Sequence, residues 1–136
     1  MTHLRPLRKR LGLAALCAGL IALAPTARAA GADSEIGTAA THAGFASKAG
    51  AIEMVHAHMH HALNCLVGPA GAGFDSASLD PCKNSGNGAI PDTTDAARRA
   101  TLEEVAASLR AGLKDDDLAS ARKTAAEAER SLRSMK

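Results

Sequence analysis

The sequence predicts an all-α protein: a small antiparallel bundle of three to four helices with one long, glycine-rich loop tied by a disulfide. Two long stretches without proline carry apolar residues every three or four positions, which is the spacing of one helix face. Between them lies a segment dense in glycine, proline, serine, asparagine and aspartate, which is the composition of turns. One cysteine ends the first helical stretch and another lies inside this segment, where they can pair.

Residues 1–29 are typical of a secretory signal peptide. A basic start is followed by an apolar run from about Leu11 to Ala24 and by an A-x-A cleavage motif at residues 27–29. The run is shorter than the roughly 20 apolar residues that span a bilayer. We therefore expect a mature chain from about Ala30 that is periplasmic or secreted and has no membrane contact after cleavage.

Removal of this leader reverses the net charge of the chain. The full chain has 16 Lys and Arg and 14 Asp and Glu, and five of the basic residues but none of the acidic ones lie in residues 1–29. The mature chain thus carries 11 basic against 14 acidic groups, a formal net charge of −3. It also has neither Trp nor Tyr on which bases could stack, so we expect no nucleic-acid binding.

Two cysteines, Cys65 and Cys82, remain after Cys17 leaves with the leader. An even pair in an exported chain predicts one disulfide, which is worth roughly 3 kcal/mol for a loop of this size. That contribution is large for a small chain that has only Phe45 and Phe74 as bulky aromatic side chains. The alternative, two thiolate metal ligands, is disfavoured by an oxidising compartment.

The first part of the mature domain, residues 30–136, contains two segments of different character. Residues 30–46 are rich in Ala, Gly and Thr, and we expect partial order there, either a frayed tail or a short helix from about residues 33–34. Residues 47–67 form the histidine-bearing helix, with Ser47 as a candidate N-cap. Gly68 and the proline after it end this helix.

Residues 68–92 form the long loop, and the predicted disulfide accounts for its length by tying its middle to the end of the preceding helix. The residues Asp80, Asn84 and Gly86 resemble part of an EF-hand calcium loop. The register excludes that site, because Cys82 occupies the third position and no glutamate occupies the twelfth.

Two amphipathic helices, residues 94–113 and 116–134, follow the loop, and their short link predicts an antiparallel hairpin. Thr93, Thr94 or Asp95 caps the first, and the acidic residues before the second suit its N-terminus. The residues expected to be buried lie at helical spacing: Leu102, Val105, Ala106, Leu109 and Leu113 in the first, and Leu118, Ala121, Ala125, Ala128 and Leu132 in the second.

The segment EMVHAHMHHALNC, residues 53–65, holds four of the six histidines of the chain. At 100° per residue, one face of the helix carries the apolar residues Ile52, Val55, Met59, Leu63 and Leu66. Met59 is therefore assigned to packing. His56 and His60 lie one turn apart at the border of this face, where two imidazoles can share one divalent ion, and they are the best candidate for a structured site.

A second, more exposed candidate lies around the back of the same helix, where His58 and His61 form a column with Met54. Cys65 continues this column and would be a ligand only if reduced. His42, near the end of the preceding segment, is a candidate further ligand for the His56/His60 pair. Imidazoles favour copper, zinc or nickel, and the Met54 thioether would favour copper, especially Cu(I).

Other chemistries have weaker support in the sequence. There is no CxxCH haem motif, no GxSxG and no phosphate-binding loop, and Glu103 and Glu104 are adjacent, so they cannot face each other as an acid/base pair. We expect no enzyme activity. The alternative to metal binding is a helical interaction or structural module of the cell envelope whose histidines face a protein partner or solvent.

The quoted histidine helix and the alanine-rich hairpin LKDDDLASARKTAAEAERSL resemble the small His-rich metal-binding proteins of the bacterial periplasm, which are helical bundles. The resemblance covers the signal peptide and the general character of the helices, which are rich in alanine and, in the quoted histidine segment, carry histidines on their faces. It implies uptake of metal ions, copper prominently, by His56, His58, His60 and His61. That family carries histidines on all its helices, whereas the two C-terminal helices here have none.

Overall fold

The computed structural model describes residues 25–135, and this part of the chain contains five α-helices and no strand. Their bounds are α1 Pro25–Lys48, α2 Ile52–Val67, α3 Ala89–Asp92, α4 Ala96–Gly112 and α5 Leu118–Ser134. The all-α prediction is confirmed, with five helices in place of three to four, and the antiparallel arrangement stays a prediction. Within the described range, no helix combines the length and apolar character needed to cross a bilayer.

The predicted leader falls mostly on residues 1–24, which lie outside the described residues. The predicted cleavage motif at residues 27–29 falls on the first turns of α1. Cleavage and export stay predictions.

The largest difference from the sequence-based expectation is α1, which is one continuous helix where partial order was expected. Its buried stripe consists almost entirely of alanine, at helical spacing: Ala32, Ile36, Ala39, Ala40, Ala43 and Ala46. Alanine has the highest helix propensity, and its small side chain lets α1 pack closely on both α2 and α5. Ser47 belongs to α1, where its hydroxyl donates to the carbonyl of Gly44, so its assignment as the N-cap of α2 was wrong.

The predicted apolar face of α2 is confirmed, since Val55, Met59, Leu63 and Leu66 are fully buried and Ile52 is partly buried. Gly68 ends the helix with φ of 67° and donates its N–H to the carbonyl of Asn64. A side chain at this position would collide with the carbonyl oxygen of Asn87. Glycine is therefore required at the predicted end of the helix, both by the positive φ of Gly68 and by the close approach of the Asn87 carbonyl.

The two C-terminal helices follow the predicted pattern closely. Asp95 caps α4 by accepting the N–H of Arg98, and Asp117 caps α5 by accepting the N–H of Ser120. Of the ten residues predicted for the two stripes, eight are buried, and Leu113 and Leu118 are partly buried.

The loop after α2 is held by buried polar contacts and by the predicted disulfide between Cys65 and Cys82, which is confirmed. The side-chain amide of Asn64 donates to the carbonyls of Asp75 and Leu79, and its carbonyl accepts the N–H of Asp75. A short helix, α3, occupies the end of the segment that was expected to be irregular.

A buried carboxyl on α1 anchors the far end of this loop. Glu35 is only 1% exposed, and one of its oxygens accepts the N–H of Gly88 at 2.9 Å. The other oxygen, Oε2, is buried and has no hydrogen-bond partner among residues 25–135. Burial, together with the charges of Asp92 and Asp80, raises the pKa of Glu35 to about 7, although the Gly88 N–H acts in the opposite direction.

Candidate metal centre

Three histidines from two helices converge on one point of the surface. His58 and His61 lie one turn apart on α2, and α1 brings His42 against them. One ring nitrogen from each lies within 4.8 Å of the others, which makes this group, here called the histidine triad, able to hold a metal ion. All three side chains are partly buried.

The distances within the histidine triad fit metal coordination. Nδ1 of His42 lies 3.4 Å from Nδ1 of His58. Two imidazole nitrogens bound to one tetrahedral ion at 2.0–2.1 Å are separated by about 3.3 Å. The ring of His61 lies edge-on to both partners, with centroid distances of 5.0 Å to His42 and 5.4 Å to His58. The two nitrogens of His42 and His58 thus lie at a ligating separation, and a ring nitrogen of His61 belongs to the same group.

One ring nitrogen of His61 is buried beside the other two members of the triad. Its Nδ1 atom is buried and has no hydrogen-bond partner within the described structure. Nearly all buried polar atoms in proteins are paired with protein groups or ordered water, so such an atom requires an explanation. A metal ion bound by the triad would be a partner for a lone pair in this region.

The electrostatics of the triad favour the neutral, metal-binding form of its rings. Burial and the neighbouring His61 and His58 lower the pKa of His42 to about 4. Burial, followed by the charges of His58 and His60, also lowers the pKa of His61. These two imidazoles therefore remain neutral at physiological pH, and a metal ion does not have to displace protons from them.

Two exposed apolar side chains lie beside the triad. The Phe45 ring contacts His42 edge-on at 5.6 Å and His58 at 5.4 Å, and it is 51% exposed. Met54 is also 51% exposed and lies one turn before His58 on α2. Phe45 was not assigned a role from the sequence, although its position three residues after His42 places both on one side of α1.

The pair first favoured from the sequence, His56 and His60, faces other segments. Nε2 of His56 donates to the carbonyl of Asp115 at 3.0 Å, in the link between α4 and α5. Nδ1 of His60 lies 3.5 Å from a carboxylate oxygen of Asp75, in the disulfide loop. The structure thus places His42 with His58 and His61, and metal binding by His56 and His60 stays a prediction.

The back of α2 is partly covered by α1, so the His58/His61 column is partly buried, as are His56 and His60. Cys65 is fully buried in the predicted disulfide and therefore offers no thiolate to this column.

No protein-family model, curated protein or solved structure matches this chain. The resemblance to the His-rich periplasmic proteins therefore stays a prediction. The fold and the site define an all-α protein with one disulfide and a three-histidine group that can hold a metal ion.

Proposed function

We propose that this protein binds a transition-metal ion, copper, zinc or nickel, through His42, His58 and His61, and that it does so in the periplasm or outside the cell. The observation that carries the proposal is the convergence of three imidazoles from α1 and α2, with ligating atoms within 4.8 Å of one another. Imidazole is the ligand these three metals share. The disulfide is compatible with an exported protein, since such bonds persist in oxidising compartments.

The arrangement suits a protein that buffers or delivers its ion. Three ligands leave a fourth coordination position, and the partly exposed triad keeps that position accessible to another ligand. An ion held in this way can exchange with a partner without unfolding of the site. We retain the prediction that the protein is not an enzyme.

Thermal unfolding with and without metal tests the proposal, because a ligand that binds only the folded state must raise its stability. Zn(II), Cu(II) and Ni(II) are each added to the parent protein and to the double variant His42→Gln/His58→Gln. The matched control is His56→Gln/His60→Gln, which removes the same number of imidazoles from residues that face other segments. At least one ion should raise the Tm of the parent and of the control, and chelator should reverse the shift.

The double variant in the triad should show no such shift. If the control rather than the triad variant loses the metal-induced rise in Tm, the ion binds at His56 and His60 instead. A parent Tm that no ion changes would favour the alternative function, a helical interaction module without metal.

A further inference from the structure

The two methionines of α2 occupy opposite environments. Met59 is fully buried in the core, whereas Met54 is 51% exposed, one of three large apolar side chains that are exposed in the described part of the chain. Exposure of a flexible thioether has no packing function. Met54 lies four residues before His58 and seven before His61, so all three side chains lie on one face of α2.

The direction of helical side chains brings Met54 and the triad together. A long side chain in an α-helix points back over the preceding turn, so the ring of His58 extends towards the turn that carries Met54. Phe45 contacts this ring and borders the same region. The Met54 side chain has three rotatable bonds and can therefore adjust its sulfur to an ion held by His58.

The donor set of the site is uncharged. Among the described residues, the group within ligating distance holds three imidazoles and neither a carboxylate nor a thiolate. The nearby cysteine is excluded, because Cys65 is oxidised. Three neutral imidazoles also bind Zn(II), so the triad alone does not distinguish the ions and the choice between them depends on the fourth ligand.

We propose that Met54 supplies the fourth ligand of the histidine triad and that the site selects a soft monovalent ion, Cu(I), over Zn(II) and Ni(II). This inference rests on the proposed function, because it assumes that the triad binds metal. Thioether sulfur is a soft ligand that favours Cu(I), and three neutral imidazoles with one thioether complete a four-coordinate site of uncharged ligands. No electron transfer is involved: the ion binds and leaves as Cu(I).

The test compares affinities of the folded, disulfide-bonded protein under anaerobic conditions. Cu(I) is supplied as its bicinchoninate complex, Ag(I) serves as the redox-inert monovalent probe, and Zn(II) is the divalent reference. Met54→Leu removes the sulfur at similar volume, and Met59→Leu is the control for loss of a methionine that is buried. We expect Met54→Leu to weaken Cu(I) binding by about tenfold or more and to change Zn(II) affinity by less than about twofold. Met59→Leu should leave both affinities unchanged.

A direct readout comes from the methyl resonances of the methionines during titration with Ag(I). The Met54 methyl signal should shift with one equivalent of Ag(I), whereas that of Met59 should not. The inference is overturned if Met54→Leu binds Cu(I) as the parent does, or if the parent prefers Zn(II). In that case His58→Gln separates the two proposals. Loss of all metal binding in this variant would support the triad as the metal site, without Met54 as a ligand. Unchanged binding would contradict the triad as the metal site as well.

Discussion

The Nδ1 atoms of His42 and His58 lie 3.4 Å apart, although the two residues belong to different helices. At this distance one imidazole donates a hydrogen bond to the other when no ion is present. The same separation matches that of two nitrogens on one tetrahedral ion, about 3.3 Å. Either a hydrogen bond or a metal ion can therefore join this pair of atoms, and the two rings lie at ligating separation without an ion.

The lowered pKa values of His42 and His61 predict weak proton competition for the metal. At pH 6, three ordinary imidazoles would release about two protons on binding one ion. Because the pKa of His42 is lowered to about 4 and that of His61 is also lowered, we expect fewer than two protons. Calorimetry of Zn(II) binding at pH 6 in buffers of different ionisation enthalpy measures this number. Release of two or more protons would contradict the electrostatic description of the triad.

The substitution Glu35→Gln should stabilise the protein at neutral pH. Burial raises the pKa of Glu35 from 4.5 to about 7, so the folded state binds more protons than the unfolded state between these values. Its contribution therefore favours folding at low pH and is lost as pH rises through this window. Glutamine keeps the acceptor for the Gly88 N–H but cannot ionise. We expect a gain on the order of 3 kcal/mol at pH 8, measured by urea unfolding.

Below about pH 4.5 the same substitution should have little effect on the free energy of unfolding. His42 makes the free energy of unfolding change with pH in the opposite direction. Its pKa falls from 6.5 to about 4 on folding, so stability rises with pH between these values. The parent should consequently show a shallow pH profile, and Glu35→Gln should reveal the rising histidine slope. A variant whose profile stays as shallow as that of the parent between pH 5 and 7 would show that Glu35 does not oppose the histidine slope.

Large apolar residues were sufficient to predict α2, α4 and α5 from the sequence. Val55, Leu63, Leu102 and Leu109 repeat at helical spacing and mark the buried faces. The same reasoning failed for α1, whose buried face is mostly alanine and therefore differs little in hydrophobicity from the glycines and threonines in the rest of the helix. The spacing of Ala32, Ile36, Ala39, Ala43 and Ala46 was the available signal.

The failure to predict α1 also limited prediction of the site. The sequence identified all three members of the triad as candidate ligands, but it grouped His42 with His56 and His60. Which histidines meet depends on how α1 packs across α2, and this is set by contacts between helices rather than by spacing within one. The disulfide was predictable because only two cysteines lie outside the predicted leader.

Removal of the disulfide should lower stability without loss of metal binding. The bond links residues 17 positions apart, so the double substitution Cys65→Ala/Cys82→Ala should cost roughly 3 kcal/mol in the free energy of unfolding. Because Cys65 is not a thiolate ligand, affinity for Zn(II) should stay within about twofold of the parent at a temperature where the variant is folded. A large loss of affinity in a folded variant would implicate the cysteines in binding.

Asn64 should be the most sensitive polar residue of the loop. Asn64→Ala leaves the N–H and the carbonyl of Asp75 without their partner, in addition to the carbonyl of Leu79. We expect a loss of about 1–3 kcal/mol by urea unfolding. Ser76→Ala, on the exposed part of the same loop, is the matched control and should change stability by less than about 0.5 kcal/mol. Equal effects of the two substitutions would contradict the anchoring role of Asn64.

The central claim, that three imidazoles from α1 and α2 bind one ion, is tested most directly by X-ray absorption spectroscopy of the protein loaded with one equivalent of Zn(II). We predict a first shell that contains about three imidazole nitrogens at 2.0–2.1 Å, with the multiple scattering typical of histidine rings. His42→Gln/His58→Gln should lose two of them. A first shell with oxygen ligands and no more than one imidazole in the parent, or a spectrum unchanged by these two substitutions, would contradict the claim.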